Sequence, residues 1–413
     1  MRDVYIAGVG MTPFGRLATA TVKGLTDLAV SAAIEDSGLT RQAIEAIFYS
    51  NTSQSHLEGQ YMVGGQVALR PLGFGQIPIM NVENACASST SGLHAAFAYI
   101  RAGLCDVALV VGVDKMTHPD KAKSLALFDG AWDVHTAEAS LAKLRAMGDG
   151  VPVPPGREGV ANRSIFMDVY AALARFHMKR FGTTERQIAA SSAKNHYHST
   201  FNPLAQYQNA MTVEQVLAAP TIAWPLTLPM CAPVTDGGAA AVLIAGDVMT
   251  PAVRERAVRI GASVLASGTD RAYDEYEKGI CRLAALKAYD MAGIGPEDIS
   301  VAEVHDASAF AEIAQSENLG FFAFGEGGPA AEQGETRLGG RIPINISGGL
   351  QSKGHPIAAT GLGQLFELTR QLRGEAGASQ VENARFGIAE NGGGFHGYEE
   401  AAACITILEG LGA

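Results

Sequence analysis

Two patterns of apolar and polar positions alternate along the chain. Short β-branched runs over residues 4–9 and 46–50 give way to longer alanine-rich stretches with helical spacing, such as residues 22–37, closed by Gly38. The spacing further predicts a helix over residues 64–69, a strand over 77–82, a helix over 88–102 stopped by Gly103, and a strand over 107–113. That last run, VALVVGV, does not alternate, so both of its faces are expected to be buried. Strands and helices taking turns in this way read as βαβ units, a mostly parallel sheet covered by helices.

Between residues 114 and 235 the pattern changes. Aromatic and polar loops, the proline-rich VPVPPGREG, an amphipathic helix over 166–180 and NHYHSTFNPLAQYQ predict an inserted loop domain. The earlier rhythm resumes at Asp236 with DGGAAAVLIA, and after Pro251 the same order starts again. Strands are expected over 258–266, 301–304, 386–389 and 402–408, and helices over 280–292, 307–320 and 358–372. Both halves close alike, DGGAAAVLIAG in one and EEAAACITILEG in the other. Similarity at so long a period reads as duplication, with halves expected over 1–250 and 251–413. Halves packed face to face place helices in the middle, and closely packed helices need small residues. That accounts for part of the glycine content, 48 of 413 residues against an average near ~7%.

Charge and cysteine content narrow the function. With 31 Lys+Arg against 42 Asp+Glu, the net charge of -11 argues against nucleic acid or an anionic membrane as the main partner. The five cysteines are odd in number, spread out, and form no metal-ligand spacing, which fits a reducing compartment and no resident metal. MRDVYIAGVG reads as a strand and not a leader, no apolar run approaches the ~20 residues of a membrane span, and the last residues are not a peroxisomal signal. A cytoplasmic protein is expected.

Four segments carry candidate chemistry. In NACASSTSG, Cys86 joins a strand to a helix; helix N-terminal amides there would lower its pKa, and its own N–H is an oxyanion donor. In GGLQSKGHP, His355 is expected at the N-cap of a helix that starts at Pro356, which favours the neutral imidazole able to take a thiol proton. His305, in VHDAS, sits at the carboxyl end of a strand, with Asp306 expected to cap the next helix; a structural turn histidine fits that spacing equally well. In AENGGGFHG, a glycine turn after a strand can offer backbone amides to an anion.

The ordered blocks NACASSTSG, KNHYHSTFNPLAQY, PVTDGGAAAVL, VHDA and SGGLQSKGHPIAATG, then a terminal glycine turn, resemble the thiolase superfamily along essentially the whole chain. The likeness is strongest to sterol-carrier-protein-2-type thiolases, through H-D in VHDA and S-K-G-H-P further on. The resemblance implies a five-layer αβαβα fold, a loop domain that helps hold coenzyme A, and a dimer or tetramer. It implies acyl-CoA as substrate with no permanently bound cofactor. By position Cys86 is the acylated nucleophile, His355 the base and an oxyanion donor, His305 a second donor, and Gly392 a further amide donor beside that of Cys86.

One departure matters. Relatives that make or break carbon–carbon bonds use a second cysteine, in a terminal C-x-G turn or an H-D-C-F block, where this chain has Glu390 and Ala307. Glu390 and His396 are the nearest candidates to replace it, since a carboxylate beside a dry turn can exchange protons near neutrality. Three readings follow: a thiolase-type acyltransferase, a retro-aldolase or acyltransferase working with a small OB-fold partner, and a non-catalytic acyl-CoA carrier. An activated thiol disfavours the carrier. Arg145, Arg157, Arg163, Lys179 and Arg180 supply positive charge in the loop region, for coenzyme A or as a solvated face.

Overall fold

The computed structural model describes residues 2–411. Among these, eleven strands are β1 Val4–Met11, β2 Ala46–Ser50, β3 Ile79–Asn81, β4 Val107–Asp114, β5 Thr221–Ala223, β6 Leu226–Thr227, β7 Gly237–Ala245, β8 Val258–Ser267, β9 Val301–Glu303, β10 Phe386–Gly393 and β11 Ala402–Gly410. Strands β5 and β6 form a separate hairpin, and the other nine run in the order β3-β2-β4-β7-β1-β8-β11-β10-β9. Outward from the centre, β1-β7-β4-β2 and β8-β11-β10-β9 repeat one pattern, antiparallel, antiparallel, parallel, so the sheet is mostly antiparallel and not mostly parallel as the strand–helix rhythm predicts. Among the described residues the two runs pair through Tyr5 with Arg259 and Ile6 with Val258, a short seam between two half-sheets.

Helices fill the space on both sides of each half-sheet. Val22–Ser37 covers the outer face of the first run, burying Leu25, Ala29 and Ala33 against β1 and β7, and Ile280–Ala292 covers the second through Ala284, Ala285 and Ala288. Between the half-sheets lie Ser88–Arg101 and Thr360–Leu372, whose Leu93, Phe97, Leu362 and Leu365 share one core with residues of both. The result is the expected succession helix, sheet, helix, sheet, helix. Small residues in the middle layer are required by distance: a Cβ on Gly361 would lie 2.4 Å from Thr90 Cγ2 and 2.5 Å from Asn391 Oδ1.

Residues between β4 and β7 hold further helices, among them Ala137–Met147, Ile165–Phe181 and Glu185–His198, and the β5-β6 hairpin. Their apolar faces pack on Phe310, Ile313, Leu350 and Phe395 of the second half, so this region roofs the ends of β9 and β10. Among the described residues, no helix is long and apolar enough to cross a membrane.

Three local expectations are corrected. Ser308, not Asp306, caps the helix Ala309–Asn318 by accepting from the Ala311 N–H; Asp306 instead accepts from the Leu350 N–H and from the Asn195 and Gln351 amides. The segment after His355 passes through a 3₁₀ turn at Ile357–Ala359 before the α-helix begins at Thr360, so His355 is not its N-cap. Glu390 to Gly393 belong to β10, pairing with Ile405, Cys404, Ala403 and Ala402, and the turn begins only at Gly394, where φ reaches +62. Glycine-rich sequence signals a turn locally, but here a partner strand holds it extended.

Candidate active site

The carboxyl ends of β3, β9 and β10, with His355 and Ile357 ahead of the central helix Thr360–Leu372, converge on one cavity of about 1000 Å³. Cys86, His305, His355 and Gly392 all line it, together with Gly394 and Glu400. Phe128, Phe166, Met167 and Tyr170 of the inserted region form an apolar wall, a lining that suits a ligand held largely by burial with a few polar contacts.

Cys86 stands on a tight turn. Ala85 is forced to φ +48; the Ser88 hydroxyl donates to the Ala85 carbonyl and accepts from the Asn84 N–H, while Glu83 accepts from the Ala85 N–H. A left-handed conformation at a residue with a side chain costs of order 1 kcal/mol and persists where neighbours over-determine it. The consequence is a thiol pushed clear of the helix into the cavity. Its sulfur lies 3.3 Å from His355 Nε2.

Hydrogen bonding fixes the state of His355. The Thr360 hydroxyl donates its single proton to the Pro356 carbonyl at 3.0 Å, so its oxygen accepts from His355 Nδ1–H at 2.6 Å. That assigns the proton to Nδ1 and leaves the Nε2 lone pair facing the thiol. Burial, and His305 beside it, hold the imidazole well below its ordinary pKa, so it is neutral as expected, with burial and not a helix terminus as the main cause.

The expected low thiol pKa is overturned. Burial, with Asp114 and Glu83 adding to it, pushes Cys86 up to about 12, against the lowering effect of the Gly394 and Cys86 amides. The helix begins only at Ser88, and two amides do not offset the desolvation of a thiolate. Those same amides face the sulfur, which places Gly394 beside Cys86 as a donor; Gly392 lines the cavity one pleat away.

His305 is 4% exposed, its ring 5.2 Å from that of His355, and neither of its ring nitrogens has a partner. A buried, unpartnered imidazole aimed into a cavity is a donor waiting for an acceptor. Burial lowers its pKa to about 4, so it is neutral and offers one N–H. The Cys86, His305 and His355 donor atoms lie within 4.8 Å of one another, a spacing that a metal ion could also use.

Glu390 is fully buried and does not line the cavity. Its carboxylate accepts from the His305 backbone N–H at 2.9 Å and from the Cys281 thiol, and burial with nearby Glu400 pushes it up to about 8. His396 is exposed on the following turn, and Cys404 is buried with its thiol on the Thr90 carbonyl. Of the loop-region cations, Arg145 and Arg163 pair with Asp168 and Arg157 with Glu185, while Lys179 donates to the Asp149 carbonyl; Arg163 reaches the cavity wall. Thr360 and Glu400 escape sequence reasoning: a hydroxyl five residues after a histidine and an acidic pair before an apolar strand are weak signals alone.

Residues 4–216 match the family described as thiolase, N-terminal domain, and residues 270–408 the thiolase C-terminal domain-like family. An acetyl-CoA acetyltransferase of Methanothermobacter thermautotrophicus is 37% identical, covering 96% of this chain and 98% of its own. Human sterol carrier protein 2 is 31% identical, covering 95% of this chain and 70% of its own. Among solved structures, an "Ltp2-ChsH2(DUF35) aldolase" superposes with a TM-score of 0.77 at 22% identity, covering 99% of this chain and 98% of that one. Human mitochondrial 3-ketoacyl-CoA thiolase in complex with CoA superposes at 0.66 with 17% identity, covering 99% and 98%. With both halves matched and relatives aligned over nearly all of it, the chain belongs to the thiolase superfamily, with sterol carrier protein 2 among its relatives.

Proposed function

We propose that the chain transfers acyl groups from acyl-CoA thioesters through a covalent thioester on Cys86. One observation carries this reading: the relay from Cys86 Sγ to a bare His355 Nε2 at 3.3 Å, with Nδ1 anchored on Thr360. A thiol with a raised pKa is useful only if a base takes its proton as the sulfur attacks, and the neutral imidazole is that base. After the transfer Nε2 carries a proton and becomes a donor, so the tetrahedral oxyanion meets His355 and His305 side by side. Collapse expels the CoA thiolate, which recovers the proton from His355. The amides of Cys86, Gly392 and Gly394 serve the carbonyl oxygen of the enzyme-bound thioester or of an acceptor.

The substrate is a CoA thioester, and no permanently bound cofactor or metal takes part. A relative named for acetyl-CoA and a structural neighbour holding CoA support the substrate class. The reading includes a cytoplasmic dimer or tetramer and an inserted domain that helps seat CoA, with Arg163 at the cavity wall. Because cysteine is absent at positions 390 and 307, a second reading stands beside it, a retro-aldolase acting on a β-hydroxyacyl-CoA with a small OB-fold partner; the Ltp2-ChsH2(DUF35) aldolase supports that direction.

A single-turnover experiment separates them. Mixed with excess acyl-CoA, the protein is expected to release one equivalent of free CoA per chain, seen by chromatography. His355→Ala should slow that burst about 10²- to 10⁴-fold. Acyl-CoA binding without any release would make the chain a carrier. Carbonyl product from a β-hydroxyacyl-CoA, again without a burst, would favour the aldolase.

A further inference from the structure

The family's second acid/base is missing from both of its usual positions, yet the cavity is not without a titratable group. Glu400, on the segment that leads from the Gly394 turn into β11, lines the cavity with Cys86, His305 and His355. Its side chain lies across Gly392: a Cβ there would be 2.6 Å from Glu400 Cγ and 3.3 Å from Oε1. Glycine at 392 therefore makes the room that the carboxylate occupies, next to the amides facing the Cys86 sulfur.

The carboxylate is held, not loose. Gln315 Nε2 donates to Glu400 Oε1 at 3.0 Å, and the other end of that amide is fixed by Asn318 Nδ2, which donates to Gln315 Oε1 at 2.9 Å. Behind Glu400 lies a second, small cavity of about 70 Å³, bounded by Tyr170, Arg271, Tyr273, Gln315, Glu317 and Glu400 among others. A recess of that size, lined by polar groups, admits water. Glu400 and Tyr170 border both cavities, so a proton on Glu400 has one face toward substrate and another toward a polar recess. Burial raises the carboxyl pKa, with Arg271 and Gln315 opposing. Glu390, by contrast, is engaged by the His305 N–H and the Cys281 thiol away from the cavity.

We propose that Glu400 is the acid/base residue for carbon–carbon bond chemistry in this chain, in place of the second cysteine. The proposal rests on acyl transfer through Cys86. In condensation, Glu400 takes a proton from the α-carbon of an acyl-CoA. The electron pair of that C–H bond forms the new bond to the carbonyl carbon of the Cys86 thioester. The carbon–sulfur bond to Cys86 breaks, its pair leaves on the sulfur, and the proton held by Glu400 ends on that thiolate. The product is a 3-ketoacyl-CoA with Cys86 free; thiolysis is the reverse.

The test follows two signals on the full chain with acetyl-CoA and a medium-chain acyl-CoA in deuterated water. One is the acyl adduct by intact mass, the other deuterium entering the α-carbon by NMR. Wild type should show both. Glu400→Gln should keep the adduct and lose α-carbon exchange about 10²-fold or more. Exchange retained in Glu400→Gln overturns the proposal, as does exchange lost in Cys231→Ser instead, since Cys231 is a second thiol on the cavity wall. Loss of adduct and exchange together in Glu400→Gln gives the residue a structural role and overturns it too. No adduct in wild type removes the acyl-transfer reading itself, a failure distinguishable from the others.

Discussion

The chemistry turns on single protons. Thr360 is a positioning residue: it touches His355 and not the thiol, and its bond decides which imidazole nitrogen is bare. Thr360→Val should slow Cys86 acylation about tenfold, the equivalent of about 1.4 kcal/mol, while Thr360→Ser restores it. The pH profile is also set here. With Cys86 at about 12 and His355 below the ordinary imidazole range, the neutral pair is the reactive form in the proposed transfer. Acylation measured from about pH 5 to about pH 10 should be flat through the ordinary thiol range and fall only in acid, as His355 protonates; a rate climbing with pH through that range would mean a free thiolate attacks instead. Glu390 gives a stability signature. Its folded pKa, about 8, lies above the unfolded value near 4.5, so the folded state holds the extra proton. Its contribution to stability is therefore present in acid and lost as pH rises through that window. In thermal melts, Glu390→Gln should gain stability relative to wild type from about pH 5 to about pH 8 and level off above.

At the level of elements, the middle layer sets the tolerance. Gly361→Ala would drive a methyl into Thr90 and Asn391, between the two central helices. Overpacking of this kind costs about 1–3 kcal/mol, read as a lower urea midpoint with unchanged slope. Strand and helix identity is legible because punctuation and periodicity agree: Val22–Ser37 ends at Gly38 with φ +66, as its sequence implies. Legibility fails where a distant partner overrides the local code. The ENGG stretch reads as a turn but is held in β10 by β11, and Pro356 reads as a helix start although the α-helix waits for Thr360. The thiol pKa departs from its sequence expectation for the same reason, because desolvation by the assembled cavity outweighs the nearby amides.

Across the whole molecule, a buried polar network joins the inserted region to the second half. Lys194, 2% exposed, reaches Glu312 Oε1 at 3.0 Å and the Ile344 carbonyl, while Asn195 beside it donates to Asp306 and Glu312. Lys194→Ala leaves Glu312 buried without its cation and should cost about 3–5 kcal/mol in equilibrium unfolding. The positions of Cys86, His305 and His355 are legible as motifs, from the residues that flank each of them; Glu400, which shares their cavity, is not, because only packing brings it across Gly392. All of the proposed chemistry depends on Cys86 carrying the acyl group. Intact mass followed by peptide mapping after exposure to acyl-CoA tests this most directly. One acyl mass per chain is expected, on the peptide containing Cys86 and absent in Cys86→Ala; an adduct on another residue, or none with any acyl-CoA, would contradict it.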